Sequence, residues 1–145
     1  MQIRRIHILM LVISLLYPVT GILFYPFMPE TMATHWNIHG QVDGYMQKVW
    51  GTFACLIIPL AVAIFLFAIA AVQKDKRKRT FIEVVSITAV LCMYASYLAM
   101  LLFNAGILVN FKLFMWSLLF LTLVALGIEY IYFKAWKFRK STDRT

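Results

Sequence analysis

Charge is what this chain has least of. Only 14% of its 145 residues are Asp, Glu, Lys or Arg, against about 25% in an average soluble domain. Acids are scarcer still, six in all. A chain so poor in polar side chains cannot clothe a packed core in water-compatible surface, which argues against a freely soluble domain. Cysteine is limited to Cys55 and Cys92, both inside apolar runs, where inert buried thiols are the plain reading and a disulfide framework is not. Catalytic signatures are missing too. There is no Gly-rich nucleotide loop, no His-Glu-x-x-His and no Gly-x-Ser-x-Gly elbow, so the sequence points away from an enzyme and calls for no cofactor. Internal repeats are absent, and the basic segment near residues 74–79 is the one stretch of low complexity.

Apolar residues, by contrast, are abundant. They make up 63% of the chain, and the mean hydropathy is +0.81. Four runs, at about 6–27, 50–72, 81–103 and 111–133, are long enough to cross a hydrocarbon layer of about 30 Å, which takes roughly 20 helical residues. They are continuously apolar and do not alternate, so each reads as a helix and not as a barrel strand. The first run follows Arg4 and Arg5 as a signal peptide would, but it is long and no Ala-x-Ala-like cleavage site comes after it. It reads as a retained span. The expected architecture is an all-α membrane protein, one domain over 1–145, with four transmembrane helices in one bundle. A structured extracytoplasmic loop at 28–49 joins helices one and two. A basic loop at 73–80 and a basic tail at 134–145 complete the chain. Pro18 in the first run and Pro59 in the second should each kink a helix.

The cations give the orientation. The formal net charge is +8, which in a soluble protein would suggest nucleic acid. Here the positive charge falls in short clusters between apolar runs: Arg4 and Arg5 before the first; Lys74, Lys76, Arg77, Lys78 and Arg79 between the second and third; Lys134, Lys137, Arg139, Lys140 and Arg144 after the fourth. All three lie on one side if the chain crosses four times. Lys and Arg are retained on the cytoplasmic side, so both termini are expected in the cytoplasm and the chain in the cell membrane, without a nucleic-acid partner. The cluster at 74–79 could also attract anionic lipid. Tyr25, Trp36, Tyr45 and Trp50 would line the outer interface, and Tyr130, Tyr132 and Trp136 the inner one.

Polar chemistry concentrates in the 28–49 loop. Residues 37–40 read as one turn and Asp43-Gly44 as a second. His35, His39 and Asp43 are spaced by four, so on a helix they would share a face and could ligate a metal. Gly40 and Gly44 interrupt such a helix, and no further Cys or Glu is placed to join. A hydrogen-bonded His35–Asp43 pair that fixes the loop is the favoured reading, with Lys48 as a charge partner for Asp43. The series Pro29, His35, Trp36, Asn37, Gly40, Asp43, Gly44, Tyr45 and Lys48 resembles the signature of a bacterial and archaeal membrane domain of unknown function, which also occurs in the immunity protein for the sporulation-delaying toxin. The resemblance covers about twenty residues and extends loosely over the first half of the chain. It implies protection against a secreted toxin, sometimes joined to sequestration of a transcription repressor at the membrane.

Two acids fall inside the apolar runs, Glu83 and Glu129. Intramembrane acids are candidates for function, yet Arg79 and Lys134 lie close enough in sequence to pair with them. Three functions stand as expectations. The leading one is a binding or immunity-type protein that meets a peptide toxin or a lipid at the outer leaflet through the 28–49 loop. The second is a small transporter or transporter subunit that uses the two prolines and the two acids. The third is a metal-dependent membrane enzyme built on His35, His39 and Asp43.

Overall fold

The computed structural model describes residues 5–54, 57–107 and 110–142. Of these, the side chains at 5–7, 10, 11, 132, 133 and 135–142 are not described. Arg4, Cys55 and Arg144 therefore lie outside the described residues, and Arg5, Tyr132, Trp136, Lys137, Arg139 and Lys140 outside the described side chains. The order is α1 (Arg5–Phe24), a short 3₁₀ turn (Tyr25–Phe27), β1 (Thr31–Trp36), β2 (Val42–Gln47), α2 (Lys48–Phe53), α3 (Ile57–Val72), α4 (Lys76–Asn104) and α5 (Phe111–Thr142).

Among the described residues, three stretches are long and apolar enough to cross a membrane: Lys48–Val72, Lys76–Asn104 and Phe111–Ile131. Their outward faces carry large apolar side chains such as Ile64, Phe65, Phe120, Leu121 and Ile128, each more than half exposed. That surface suits hydrocarbon and not water.

Helix α4 is the hub, packing against α1, α3 and α5. The reason lies in its neighbours' small residues. Pro59, Ala63 and Ala70 are buried on α3, spaced four and seven apart on one face, so the backbone approaches α4 closely. On the α1 side three tyrosines replace ordinary aliphatic packing. The Tyr17 ring stacks on Tyr97 and meets Tyr94 edge-on, and its hydroxyl donates to the Val90 carbonyl at 3.1 Å. Thr20 and Tyr94 share a hydrogen bond of 2.7 Å. Tyr97 donates to the Thr52 carbonyl at 3.0 Å. Each of these hydroxyls thus has a partner, as a dry interior requires.

Several expectations need correction. Helix α4 begins at Lys76, so the connector after α3 is only residues 73–75. Lys76, Arg77, Lys78 and Arg79 form the first turn of α4, not a loop. Asp75 makes this possible: its carboxylate accepts from the Arg77 and Lys78 amides, capping a helix start whose dipole is otherwise unfavourable to cations. Much of the basic tail likewise continues α5, which runs to Thr142. Pro18 is inside α1, and Pro59 lies in α3, two residues after the first described residue of that helix; the turn preceding Pro59 includes residues 55 and 56, which lie outside the described residues.

The largest correction concerns the 28–49 loop. It is an antiparallel β-hairpin, so the fold is not all-α. The 37–40 turn is present. Asn37 organises it: its side-chain oxygen accepts from the His39 and Gln41 amides, and its backbone closes on Gly40 and Gln41. Gly40 has φ +79°, which suits glycine. Asp43-Gly44 is no turn; both residues lie in β2. Glycine is needed at 44 because it faces His35, whose Cβ would be only 2.7 Å from a Cβ at that position. The register slips on either side of His35 and recovers by Trp36. These paired irregularities twist the hairpin locally.

Candidate functional site: a groove under the hairpin

The hairpin is seated on the helix ends by three contacts. The first is Asn104, at the C-terminus of α4. Its Oδ1 accepts from the Ala33 amide at 2.8 Å and its Nδ2 donates to the Ala33 carbonyl at 2.9 Å. One side-chain amide thereby supplies the donor and acceptor that a third strand would have offered to β1. The second is Met32, fully buried, whose sulfur accepts from the Thr52 hydroxyl at 3.3 Å; Gly51 leaves room for it, since a Cβ there would meet that sulfur at 3.0 Å. The third is Trp36, stacked on Phe111 with ring centroids 3.7 Å apart and edge-on to Phe103. Such aromatic pairs add about 0.5–1.5 kcal/mol beyond the area they bury.

Beneath this roof is a groove of about 630 Å³, within the range of about 300–1,000 Å³ common for small-molecule sites. Its floor is Met93, Ser96, Tyr97 and Met100 of α4, spaced so that they share one helix face. One wall is Met115, Trp116 and Leu119 of α5; the other is Ile58 and Pro59 of α3. Lys112 stands at the upper end of the α5 wall, and the roof is formed by the hairpin from Thr34 to the turn. The lining is overwhelmingly apolar. Ser96, the polar group on the floor, spends its hydroxyl on the Cys92 carbonyl one turn back.

His35 and Asp43 are brought together as expected, with Nδ1 and Oδ1 2.5 Å apart at an exposed position. His39 is not with them. It sits in the turn, and among the described residues no three His, Cys, Asp or Glu side chains converge as metal ligands. The helical arrangement that would have aligned the three is replaced by a hairpin. Lys48 does not serve Asp43: its ammonium lies 4.0 Å from Glu30 and 4.7 Å from the Tyr25 ring centre. Trp36, Asn37 and Gly40 line the groove with His35, whereas Pro29 and Tyr45 are exposed.

Of the two acids, Glu83 lies near the start of α4, by its basic residues, while Glu129 is level with Thr88, close to the middle of that helix. Glu83 is buried and accepts from Arg79 Nε at 3.0 Å, as its sequence spacing suggested. The Glu129 partner is Thr88, which donates to one carboxyl oxygen at 3.3 Å, and not Lys134; the second oxygen is buried without a partner among the described residues. Neither acid lines the groove. Sequence reasoning gave Asn104, Phe111, Lys112 and Trp116 no place at the hairpin or its groove. Asn104 was legible only as a lone amide at the end of an apolar run, and the others belong to runs that look uniform until the hairpin selects a face.

The class this geometry defines is a mostly helical protein, with three stretches among the described residues long and apolar enough to cross a membrane, crowned at one end by a β-hairpin over an apolar groove. Residues 9–60 match the family described as Domain of unknown function (DUF1648). The matched segment runs from α1 through the hairpin into the first turn of α3, and so includes all nine residues of the loop series. No curated protein and no solved structure matches the chain.

Proposed function

We propose that this is a four-span protein of the cell membrane, with both termini in the cytoplasm, that works by binding and not by covalent chemistry. The hairpin would face outward and the groove would take the apolar part of a secreted peptide toxin or of a lipid at the outer leaflet, in the manner of an immunity protein. α1 supports the fourth span: it is 20 residues long, about 30 Å as a helix. The charge distribution supports the orientation. The Lys74 to Arg79 cluster and Lys134 stand at the end opposite the hairpin, the side on which cations are retained; anionic lipid of the inner leaflet would gather there.

The observation that carries the binding reading is the groove itself. It is largely apolar and roofed by a hairpin that Asn104, Met32 and Trp36 seat on the helix ends. A transporter would need a polar route toward Glu83 or Glu129, and a metal enzyme would need a third ligand beside His35 and Asp43; among the described residues the groove lining includes neither acid, and no third ligand converges on the pair.

The test is a toxin challenge. A host sensitive to the sporulation-delaying peptide is made to express the chain or its His35→Ala, Asp43→Ala or Ser96→Phe variant. Wild type should protect. The first two variants loosen the roof and the third fills the groove, so each should lose protection at equal membrane abundance. Undiminished protection by all three variants would argue against recognition through this site.

A further inference from the structure

We propose that the groove holds one acyl chain of an outer-leaflet phospholipid with an acidic headgroup, and that Lys112 supplies the countercharge; this rests on the groove being the ligand site. Four observations favour this occupant. The groove is open sideways: Ile58, Trp116 and Leu119 on its rim are each about half exposed or more, so it communicates with the surroundings of the helices, which in a bilayer are acyl chains. It is elongated along the helices. From Lys112 to Leu119 is seven residues, or about 10 Å of rise, against about 15 Å for one leaflet's hydrocarbon, and a chain lying in it would keep the direction it has in the bilayer. Along its floor the hydroxyls of Ser96 and Tyr97 are already bonded to the Cys92 and Thr52 carbonyls, and Trp36 Nε1, a donor without a partner among the described residues, belongs to the roof; a floor of this kind suits methylenes better than a peptide backbone, whose unpaired amides would be penalised.

Charge complementarity, the fourth observation, decides the headgroup. Among the described residues Lys112 is the only lining side chain with a fixed charge, and it stands at the end where a headgroup would emerge. Its position is set by the hairpin turn: Gly40 lies so near that a Cβ there would meet Lys112 Cβ at 2.5 Å. The N-terminus of α5 begins beside it at Phe111, adding a second positive field. Asp43, the acid carried by the hairpin strand, is occupied by His35.

The full-length chain is purified in mild detergent and offered equal amounts of phosphatidylglycerol and phosphatidylcholine, and bound lipid is read by native mass spectrometry. Wild type should retain one lipid with preference for phosphatidylglycerol. Lys112→Gln should still retain lipid but lose about fivefold of that preference, the worth of one cation near an anionic surface. Ser96→Phe should retain neither lipid, while Ser96→Ala, which leaves the groove open, should behave as wild type; circular dichroism confirms that each variant is folded. Equal retention of the two lipids by wild type, an unchanged preference in Lys112→Gln, or full retention in Ser96→Phe would overturn the proposal. A groove that holds no lipid, in a chain whose toxin protection is nonetheless abolished by Ser96→Phe, would remove the lipid as occupant and keep the groove as a peptide site.

Discussion

The Asn104 clamp gives the sharpest prediction. Asn104→Ala removes the acceptor for the Ala33 amide and the donor for its carbonyl together. Ala33 is only 5% exposed, so both backbone groups are left without a partner in a largely dry place. An unsatisfied buried group costs about 1–3 kcal/mol. Two of them would give about 2–6 kcal/mol, but the hairpin lies at the polar end of the bundle and water can recover part of the loss. The low end, about 2 kcal/mol, is the expected penalty, or about 30-fold in an opening equilibrium. Most of it should appear locally, because α4 keeps its helical bonds while β1 loses its anchor. The assay is amide hydrogen exchange in detergent micelles. Amides within the hairpin, at 31–47, should exchange about 30-fold faster than in wild type, with the α4 amides near Val90 unchanged. Asn104→Asp refines the reasoning: it keeps an acceptor for the Ala33 amide but sets a carboxylate against the carbonyl, and should be at least as disruptive at neutral pH. Exchange in Asn104→Ala within about twofold of wild type would show that the amide clamp does not hold the strand.

Two further outcomes rest on the packing and on the α4 cap. Gly21→Ala places a Cβ 2.6 Å from the Tyr97 hydroxyl, and overpacking of this kind costs about 1–3 kcal/mol. Combining it with Tyr97→Phe removes the clashing oxygen, so the double variant should lose less stability than the two single losses added, as read by thermal unfolding in detergent; strict additivity would mean the two sites do not touch. Asp75 gives a pH dependence. The amides of Arg77 and Lys78 hold its carboxyl below the usual carboxylate value of 3.8, so its stabilisation of the α4 start is present above that value and is lost as pH falls through the lower folded one. The Arg77 and Lys78 amide resonances should titrate with a midpoint below 3.8, and the transition should vanish in Asp75→Asn; a midpoint at or above the ordinary value would contradict the cap.

The helices were legible because their signal is additive. A run of about twenty apolar residues needs no partner to declare itself, and the positions found for α4 and α5 overlap the expected spans throughout. Their ends were less legible. Lys76 to Arg79 look like a loop by charge, and only Asp75, placed to cap them, turns them into helix. The hairpin was partly legible. The 37–40 turn comes from local chemistry, since Asn37 bonds the His39 and Gln41 amides close by in the chain. Asp43-Gly44 misled because the same dipeptide serves a tight turn or a close strand crossing, and the choice depends on His35 across the ladder. The His35–Asp43 pair was anticipated from residue type, while the partners of Lys48 and Glu129 depended on where Glu30 and Thr88 came to lie.

Composition and charge pattern alone therefore indicated helices long and apolar enough to cross a membrane, their number to within one, and a clustering of cations apart from the polar loop, because each of these depends on sums over many residues. The tertiary structure decided what those sums cannot contain. It chose α4 as the hub through the small residues facing it, folded the polar loop into a hairpin, and let a single amide at Asn104 stand in for a missing strand. It opened a groove between α3 and α5 under that hairpin. These outcomes rest on pairwise contacts between residues far apart in the chain, and a pairwise contact has no trace in either partner's local sequence.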